Sequence, residues 1–390
     1  MLGKIKVIVL YGGRSTEHDI SCRSAAYLLK NLDLQRYEVQ PVLVRPDGQW
    51  WALDGLKVRE MLGDKAPSDC DLRIALDPEI QNGFSPWRWR DDQALNEKAI
   101  VFPITHGSFG EDGTLQGYLE LMGIPYVGTD TLGSAIAMDK VKAKQLAEAS
   151  HIDVVPYHHF RYCRWINEKQ QILAEISEKF NNESKLFVKP VCSGSSVGIT
   201  CVEDWNALSA AIDHALAFDE QVLVEKAVQG REIEFAAIGD YSPEISVAGE
   251  VKTEQGFYDY QAKYDDGSTA DVIVPAQLEA SQLRKGQELA ANVFQILGLY
   301  GFARIDFFLD ASNRFYFNEA NTLPGFTSIS QFPLLWQHSG WTPQKLIDTL
   351  INLGLKRARQ RKSLRHIFFD EPAADWNVDR GIRGPKGLTE

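Results

Sequence analysis

Short apolar runs alternate with helical patterns along the first third of the chain. The apolar run over residues 4–11 predicts a strand, Gly12 and Gly13 predict a turn, and residues 20–28 carry a helical pattern. A second apolar run over 99–105 is followed by a glycine-rich turn and then by another helical pattern. Strands that alternate with helices are typical of a parallel sheet. We therefore predict an N-terminal parallel α/β domain over residues 1–130.

The pattern of apolar positions in the remainder of the chain predicts further helices and strands, so the fold class is α/β and α+β. Apolar positions from Leu132 to Leu146 recur at helical spacing, which predicts one helix that ends near Ser150 and holds Lys140 in its middle. Strands are predicted over 185–189, 221–226, 301–309 and 314–321. A last helix begins at Thr342-Pro343 and is expected to end near Leu355.

These elements suggest a division of the chain into a multidomain protein. After the first domain we expect a second over 131–226, a third over 227–355, and a basic then loosely ordered tail over 356–390. The weakly periodic stretch over 46–98 is interpreted as an irregular surface excursion of the first domain.

Composition and charge exclude several classes of protein. The 390 residues, at about 150 per domain, favour two or three domains. A formal net charge of -12 disfavours binding to nucleic acid or to an anionic membrane. No apolar run reaches the roughly 18 residues of a membrane span. The five cysteines form no C-x-x-C pair, which suits free thiols in a reducing cytoplasm.

Two carboxylates on the late strands are candidate metal ligands. Residues two apart in a strand share a face, so Arg304 lies with Asp306 and Glu319 lies with Asn321. Oxygen ligands of this kind suit Mg²⁺. The alternative, outward-facing polar positions of a half-solvated sheet, is about equally favoured until the apolar context of each carboxylate is counted.

Three lysines and a small-residue loop are candidates for binding phosphate. Lys189 ends an apolar strand and precedes the loop over 193–198, which contains Ser195 and Ser196 and could offer backbone N–H groups to phosphate oxygens. A flexible surface loop is the competing interpretation. Lys140 and Lys263 are the other two, and the aromatic segment around Lys263 is a lid candidate.

Taken together, these segments resemble the D-alanine:D-alanine ligase family of the ATP-grasp superfamily. The matching motifs, in family order, are Gly12 through His18, His106 through Gly117, Met138-Asp139-Lys140, Lys189 through Gly198, Glu225 through Glu232, Phe257 through Tyr264, Arg304-Ile305-Asp306, and Asn318 through Ser330. The resemblance implies an N-terminal parallel α/β domain followed by a two-lobed ATP-grasp. It also implies an ATP-dependent ligase that joins two D-alanine molecules through D-alanyl phosphate, for peptidoglycan synthesis.

The resemblance also implies roles for particular residues. Asp306, Glu319 and Asn321 would hold two Mg²⁺ or Mn²⁺ ions. The nucleotide would be bound by Lys140, Lys189, Ser196, Lys263, Glu225, Lys226, Val228 and Glu232. The two D-alanine molecules would meet Glu17, His106, Ser195, Tyr264, Arg304, Gly325, Ser330 and Gln331. Relatives are often homodimers, so a homodimer is a further expectation, and the cytoplasm is the expected compartment.

Alternatives stay open at this point. Tyr264 favours an amine as the second substrate, but a sibling enzyme that uses D-lactate or D-serine is a rival interpretation. A nucleotide-binding protein without turnover is a third, suggested by the added tail. The proton of the second ammonium could pass through Tyr264 and Ser195 or to a phosphate oxygen.

Overall fold

The computed structural model describes residues 4–53, 99–181, 183–253 and 270–364 of the chain. Within these ranges the chain forms three sheets with helices packed against them. None of the helices in these ranges combines the length and the apolar composition that a membrane span requires.

The first sheet is mainly parallel. Its strands are β1 (Ile5–Gly12), β2 (Tyr37–Val44), β3 (Trp50–Ala52) and β4 (Ala99–Pro103), in the order β3-β2-β1-β4. Strand β1 pairs in parallel with both β2 and β4, which confirms the predicted parallel sheet, whereas β3 is an antiparallel edge strand. The expected irregular stretch therefore includes this short strand, and most of the rest of it lies outside the described residues.

Both faces of this sheet are covered, and this accounts for its continuous apolar runs. Val7 and Val9 face a core that includes residues of α1 (His18–Asn31), while Ile8 and Leu10 face a second core beside α2 (Thr114–Leu121). Because β1 and β4 pair in parallel, their carboxyl ends lie at the same edge of the sheet, and the glycine-rich turns begin there.

The second sheet is antiparallel and follows the helices at residues 131–149. Its strands are β5 (Tyr157–Arg161), β6 (Leu186–Pro190), β7 (Thr200–Val202) and β8 (Gln221–Lys226), in the order β5-β8-β6-β7. Helices α5 (Tyr162–Phe180) and α6 (Leu208–Ala215) share a core with this sheet.

The third sheet is antiparallel and has five strands. They are β9 (Gly230–Gly239), β10 (Glu244–Thr253), β11 (Ala270–Ile273), β12 (Gly301–Asp310) and β13 (Phe315–Asn321), in the order β11-β10-β9-β12-β13. Helix α7 (Ala280–Ile296) packs against one face, and α8 (Gln331–His338) and α9 (Pro343–Lys362) belong to the core that the sheet shares with the first sheet. The predicted domain boundaries stay predictions.

The single helix predicted over 132–150 is wrong, because the chain breaks it at Asp139. The segment forms α3 (Thr131–Met138) and α4 (Lys140–Ala149), with Asp139 in an extended conformation between them. The Asp139 side chain accepts a hydrogen bond of 2.9 Å from the Lys142 N–H, the usual role of an aspartate at a helix N-cap. Lys140 is consequently the first residue of α4 and not a residue in mid-helix.

The predicted end of α9 near Leu355 is also wrong, since the helix continues to Lys362. No glycine or proline interrupts residues 355–362, and basic side chains in a last turn are favoured by the helix dipole. Arg357 is buried and donates hydrogen bonds to the backbone carbonyls of Tyr126 and Gly128. The first part of the basic run is thus packed helix.

Candidate functional site

A cavity of about 160 Å³ lies where the first and third sheets meet the small-residue loop that follows β6. It brings together predicted residues from widely separated segments of the sequence. Those that line it are Glu17, His106, Ser195, Glu232, Arg304, Asp306, Glu319, Asn321, Gly325, Ser330 and Gln331.

The candidate metal ligands share one face of the third sheet. In the antiparallel pairing of β12 with β13, Asp306 lies opposite Glu319 and Arg304 lies opposite Asn321. Directly opposed residues of such a pair point to the same side. The Asn321 side-chain amide donates to an Asp306 carboxylate oxygen at 3.0 Å.

This donor set fits a magnesium ion that also binds a nucleotide. Within the described ranges no three His, Cys, Asp or Glu side chains are grouped as a complete metal centre. Two carboxylates and an amide form an incomplete set of oxygen ligands. Mg²⁺ usually takes one or two carboxylates and fills its remaining positions with water and phosphate oxygens.

Arg304 is held rigidly beside these carboxylates. Its Nε and Nη2 donate to the two oxygens of Asp306 at 2.9 and 2.7 Å, and Nε lies 3.2 Å from a carboxylate oxygen of Glu234. Burial opposes the charge of Arg304, but Asp306 and Glu234 outweigh it and raise the pKa of the guanidinium well above its usual value. Arg304 is therefore a fixed positive charge in the cavity wall.

Glu234 is a residue of this site that the sequence analysis missed. It is 3% exposed and lies two residues after Glu232 on β9, so both side chains face the cavity. The two-residue period of a strand was the signal that could have found it.

Lys140 projects from the first turn of α4 toward Glu319, one of the candidate metal ligands. Its ammonium donates to the Ser193 carbonyl at 2.7 Å and lies 3.2 Å from a Glu319 oxygen. Burial would lower the pKa of Lys140, but the charge of Glu319 overcomes burial and raises it. The break at Asp139 thus places a protonated amine beside the predicted phosphate site.

Lys189 on β6 is paired with Glu225 on β8. The ammonium of Lys189 contacts one carboxylate oxygen of Glu225, and the ammonium of Lys144 on α4 lies 3.1 Å from the other. Burial would raise the pKa of Glu225, but the two lysines lower it to about 2. The Glu225 carboxylate is thus engaged within the protein, and its backbone remains the part suited to line a nucleotide slot.

Lys144 is a second residue that the sequence analysis missed. It follows Lys140 by four residues, so a helix places both side chains on one face, and this spacing was the available signal. Burial is the largest of the effects that lower the pKa of its ammonium.

The small-residue loop brings Ser195 to Glu17. Ser195 and Ser196 both have positive φ, at 50° and 59°, a conformation unusual for residues other than glycine. The Ser195 hydroxyl donates to a carboxylate oxygen of Glu17, the residue at the N-cap of α1. The loop therefore connects the N-terminus of α1 to the second sheet at the cavity.

His106 connects α1 to the loop that follows β13. Its Nδ1 lies 2.8 Å from the Leu323 carbonyl, and its Nε2 lies 2.9 Å from the hydroxyl of Ser24. That hydroxyl also accepts from the Phe326 N–H at 3.1 Å. Burial lowers the pKa of His106, and a neutral ring that donates from Nδ1 and accepts at Nε2 satisfies all of these contacts.

Glu111 is a buried acid that the sequence analysis did not single out, although it lies in the glycine-rich turn after β4. Its carboxylate accepts from the Gly107 N–H at 2.8 Å and from the Leu323 N–H at 3.4 Å. Burial and the charge of Glu17 raise its pKa to about 8.

Ser330 and Gly325 line the cavity from the segment that leads into α8. Ser330 is the N-cap of α8, and its hydroxyl accepts from the Thr327 N–H at 3.0 Å. A Cβ on Gly325 would stand 3.0 Å from that hydroxyl, so the close approach favours glycine. The N–H groups at the start of α8, including that of Gln331, are suited to receive an anion.

The other predicted residues lie apart from the cavity wall. Lys140, Lys189, Ser196, Glu225, Lys226 and Val228 do not line it. Lys226 lies at the end of β8 and its ammonium is 3.3 Å from a Glu183 oxygen. Lys263 and Tyr264 lie outside the described residues.

Two family models match most of the chain. The model described as D-ala D-ala ligase N-terminus matches residues 6–129, and the model described as D-ala D-ala ligase C-terminus matches residues 146–352.

Individual proteins resemble the chain over nearly its whole length. A D-alanine–D-alanine ligase of Natranaerobius thermophilus is 37% identical over 94% of this chain and 99% of that protein. A D-alanine–D-alanine ligase A of Bradyrhizobium diazoefficiens is 42% identical over 94% of this chain and 100% of that protein. The crystal structure of the D-Ala:D-Ser ligase VanG from Enterococcus faecalis has a TM-score of 0.77 and 32% identity, and covers 90% of this chain and 100% of that one.

Proposed function

The chain belongs to the D-alanine–D-alanine ligase family, and on that premise we propose that it joins two D-alanine molecules with the consumption of ATP. The products are D-alanyl-D-alanine, ADP and phosphate, and the dipeptide serves peptidoglycan synthesis. The observation that carries the proposal is the arrangement on β12 and β13, where Arg304, Asp306, Glu319 and Asn321 share the cavity with Glu17 and Ser330.

The first D-alanine is bound between the first domain and β12. Glu17 takes its ammonium, with Ser195 hydrogen-bonded to the same carboxylate and His106 nearby. ATP phosphorylates its carboxylate to give D-alanyl phosphate, and Lys140, Lys189 and Lys263 bind the phosphates. The backbone of residues 225–228 lines the adenine slot, Ser196 in the small-residue loop receives phosphate oxygens, and Glu232 binds the ribose.

The metal ions belong to this first step. Asp306, Glu319 and Asn321 would hold two Mg²⁺ or Mn²⁺ ions, which when bound neutralise charge on the transferred phosphoryl group. Lys140, which contacts Glu319, brings a further positive charge to the same place.

The second D-alanine attacks D-alanyl phosphate and phosphate leaves. Ser330 and the Gln331 N–H receive its carboxylate at the start of α8. Arg304 and the Gly325 N–H stabilise the oxyanion that forms, and each such donor contributes about 2.7–4 kcal/mol in comparable sites. The ammonium proton leaves through Tyr264 and Ser195 or to a phosphate oxygen.

The test combines the purified protein with ATP, Mg²⁺ and D-alanine. We expect phosphate release that depends on D-alanine, and a product with the mass of the dipeptide. If ATP binds with Mg²⁺ but D-alanine does not accelerate its hydrolysis, the protein binds nucleotide without turnover and the proposal is wrong.

A second candidate is a ligase that takes D-serine as the second substrate. The similarity to VanG, a D-Ala:D-Ser ligase at 32% identity, favours including it. The assay is a competition of D-alanine, D-serine and D-lactate near neutral pH with product masses recorded. A predominance of D-alanyl-D-serine would replace the first proposal by the second.

We further propose a cytoplasmic homodimer that binds neither nucleic acid nor membranes. The support is the net charge of -12 and the family's usual assembly. Light scattering on a size-exclusion column checks the assembly, and a single-subunit mass would refute the dimer.

A further inference from the structure

Three charged side chains form a buried row beside the predicted nucleotide site. Lys144 and Glu225 are each 1% exposed and Lys189 is 7% exposed. Each lysine contacts a different oxygen of the Glu225 carboxylate. The row therefore carries two positive charges and one negative charge.

Contacts with β8 and β13 hold the ammonium of Lys144 in place. It projects from α4, and its ammonium lies 3.5 Å from the Phe317 carbonyl on β13 as well as 3.1 Å from Glu225 on β8. The side chain thus connects the second and third sheets. Ammonium groups in such surroundings are retained only when paired, because an unpaired buried charge is strongly destabilising.

Sharing the carboxylate changes what Lys189 can offer to a ligand. If Glu225 had Lys189 as its sole partner, the two charges would cancel and the pair would be neutral toward a phosphate. With Lys144 on the other oxygen the row keeps a net positive charge. Lys189 is the member that lies near the end of β6, just before the small-residue loop.

We propose that Lys144 is a positioning residue that acts through Glu225: by sharing that carboxylate it leaves the positive charge of Lys189 only partly compensated, and so available to the phosphates of ATP. The proposal rests on the proposed ATP-dependent function. Lys144 need not touch the nucleotide, since its effect is transmitted by the carboxylate that both lysines share.

The first test is Lys144→Met, which keeps the length of the side chain and removes its charge. Because Glu225 would then neutralise Lys189, we expect the KM for ATP to rise about tenfold, as for the loss of one charged contact, with kcat changed less than about threefold. Lys142→Met is the matched control, because Lys142 lies on the same helix but is exposed. It should leave both constants unchanged.

The second test is the double variant Lys144→Met/Glu225→Gln. Removing the acid leaves nothing in the row to neutralise Lys189, so we expect most of the lost ATP affinity to return. A purely structural role for Lys144 predicts that the double variant is at least as impaired as the single one. The double variant leaves the Lys189 ammonium without its acid, so its folding is checked with ATP and Mg²⁺ present, because the ATP phosphates can pair with that ammonium. If Lys144→Met does not fold, the double variant under these conditions decides alone.

The wild-type protein assayed in parallel separates the two proposals. If it shows no D-alanine-dependent ADP formation, the proposed function fails. If the wild type is active, two outcomes refute the positioning role. One is an unchanged KM for ATP in folded Lys144→Met, and the other is a double variant whose KM is raised about tenfold or more.

Discussion

Glu111 makes the stability of the protein depend on pH in a direction opposite to that of an ordinary paired carboxylate. Burial, followed by the charge of Glu17, raises its pKa from 4.5 to about 8, although the N–H groups of Gly107 and Leu323 partly oppose this. The folded protein therefore binds a proton that the unfolded chain has released. The Glu111 contribution is complete below about pH 4.5 and is lost as the pH rises toward 8.

The size of the effect follows from the two pKa values. Each pH unit in this window lowers the free energy of unfolding by at most about 1.4 kcal/mol, so the loss between pH 5 and pH 7 is about 2.5 kcal/mol. Glu111→Gln cannot ionise, and its carbonyl oxygen can still accept from the Gly107 N–H. Between pH 5 and pH 7 we therefore expect the free energy of unfolding of the variant to fall by about 2.5 kcal/mol less than that of the wild type.

The assay is urea unfolding followed by tryptophan fluorescence at pH 5, 6, 7 and 8 without ligands. Glu178→Gln, an exposed position on α5, is the matched control and should follow the wild-type curve. Comparing differences between proteins at each pH removes the contribution of all other titrating groups. A wild-type-minus-variant difference that stays constant from pH 5 to 8 would refute the reasoning.

Three further substitutions test other parts of the site and fold. Glu319→Gln should reduce D-alanine-dependent phosphate release about 100-fold or more, since the proposed metal ligand loses its charge, and an active variant with an unchanged circular dichroism spectrum would contradict that assignment. Ser24→Ala should lower the free energy of unfolding by about 2 kcal/mol, because a backbone N–H and the His106 ring lose their partner; urea unfolding checks this, and unaltered stability would exclude it. Arg357→Met should lower the free energy of unfolding by about 3 kcal/mol, because two hydrogen bonds to backbone carbonyls and a cation–π contact of 4.1 Å with the Tyr126 ring are lost. A urea midpoint equal to that of the wild type would disprove this.

Apolar patterns within short segments correctly predicted several strands. The strand over 221–226 agrees with β8, and the two late strands agree with β12 and β13 to within a residue. The break at Asp139 was missed because apolar positions on both sides keep a helical spacing, whereas the decisive interaction is one side-chain cap. The end of α9 was missed because Arg357 packs against residues more than 200 positions earlier.

The site divides in the same way. Arg304 could be placed with Asp306, and Glu319 with Asn321, because strand periodicity is local. The register of β12 with β13 then brings the two pairs to one face. The contacts of His106 could not be predicted, because Ser24 and Leu323 lie 82 and 217 residues away in the sequence. Glu234 and Lys144 were open to prediction from their spacing to Glu232 and Lys140, since each repeats the period of its own element.

The hydrogen bonds from Arg357 to the carbonyls of Tyr126 and Gly128 have a consequence for folding during synthesis. Those carbonyls lie just beyond the first sheet, and the guanidinium that satisfies them comes from the final described helix. The ribosome releases the N-terminal segment first. The hydrogen bonds from Arg357 can therefore form only after more than 200 further residues have been synthesised. A nascent chain arrested before residue 357 should therefore be easier for proteases to cleave around residue 128 than the finished protein.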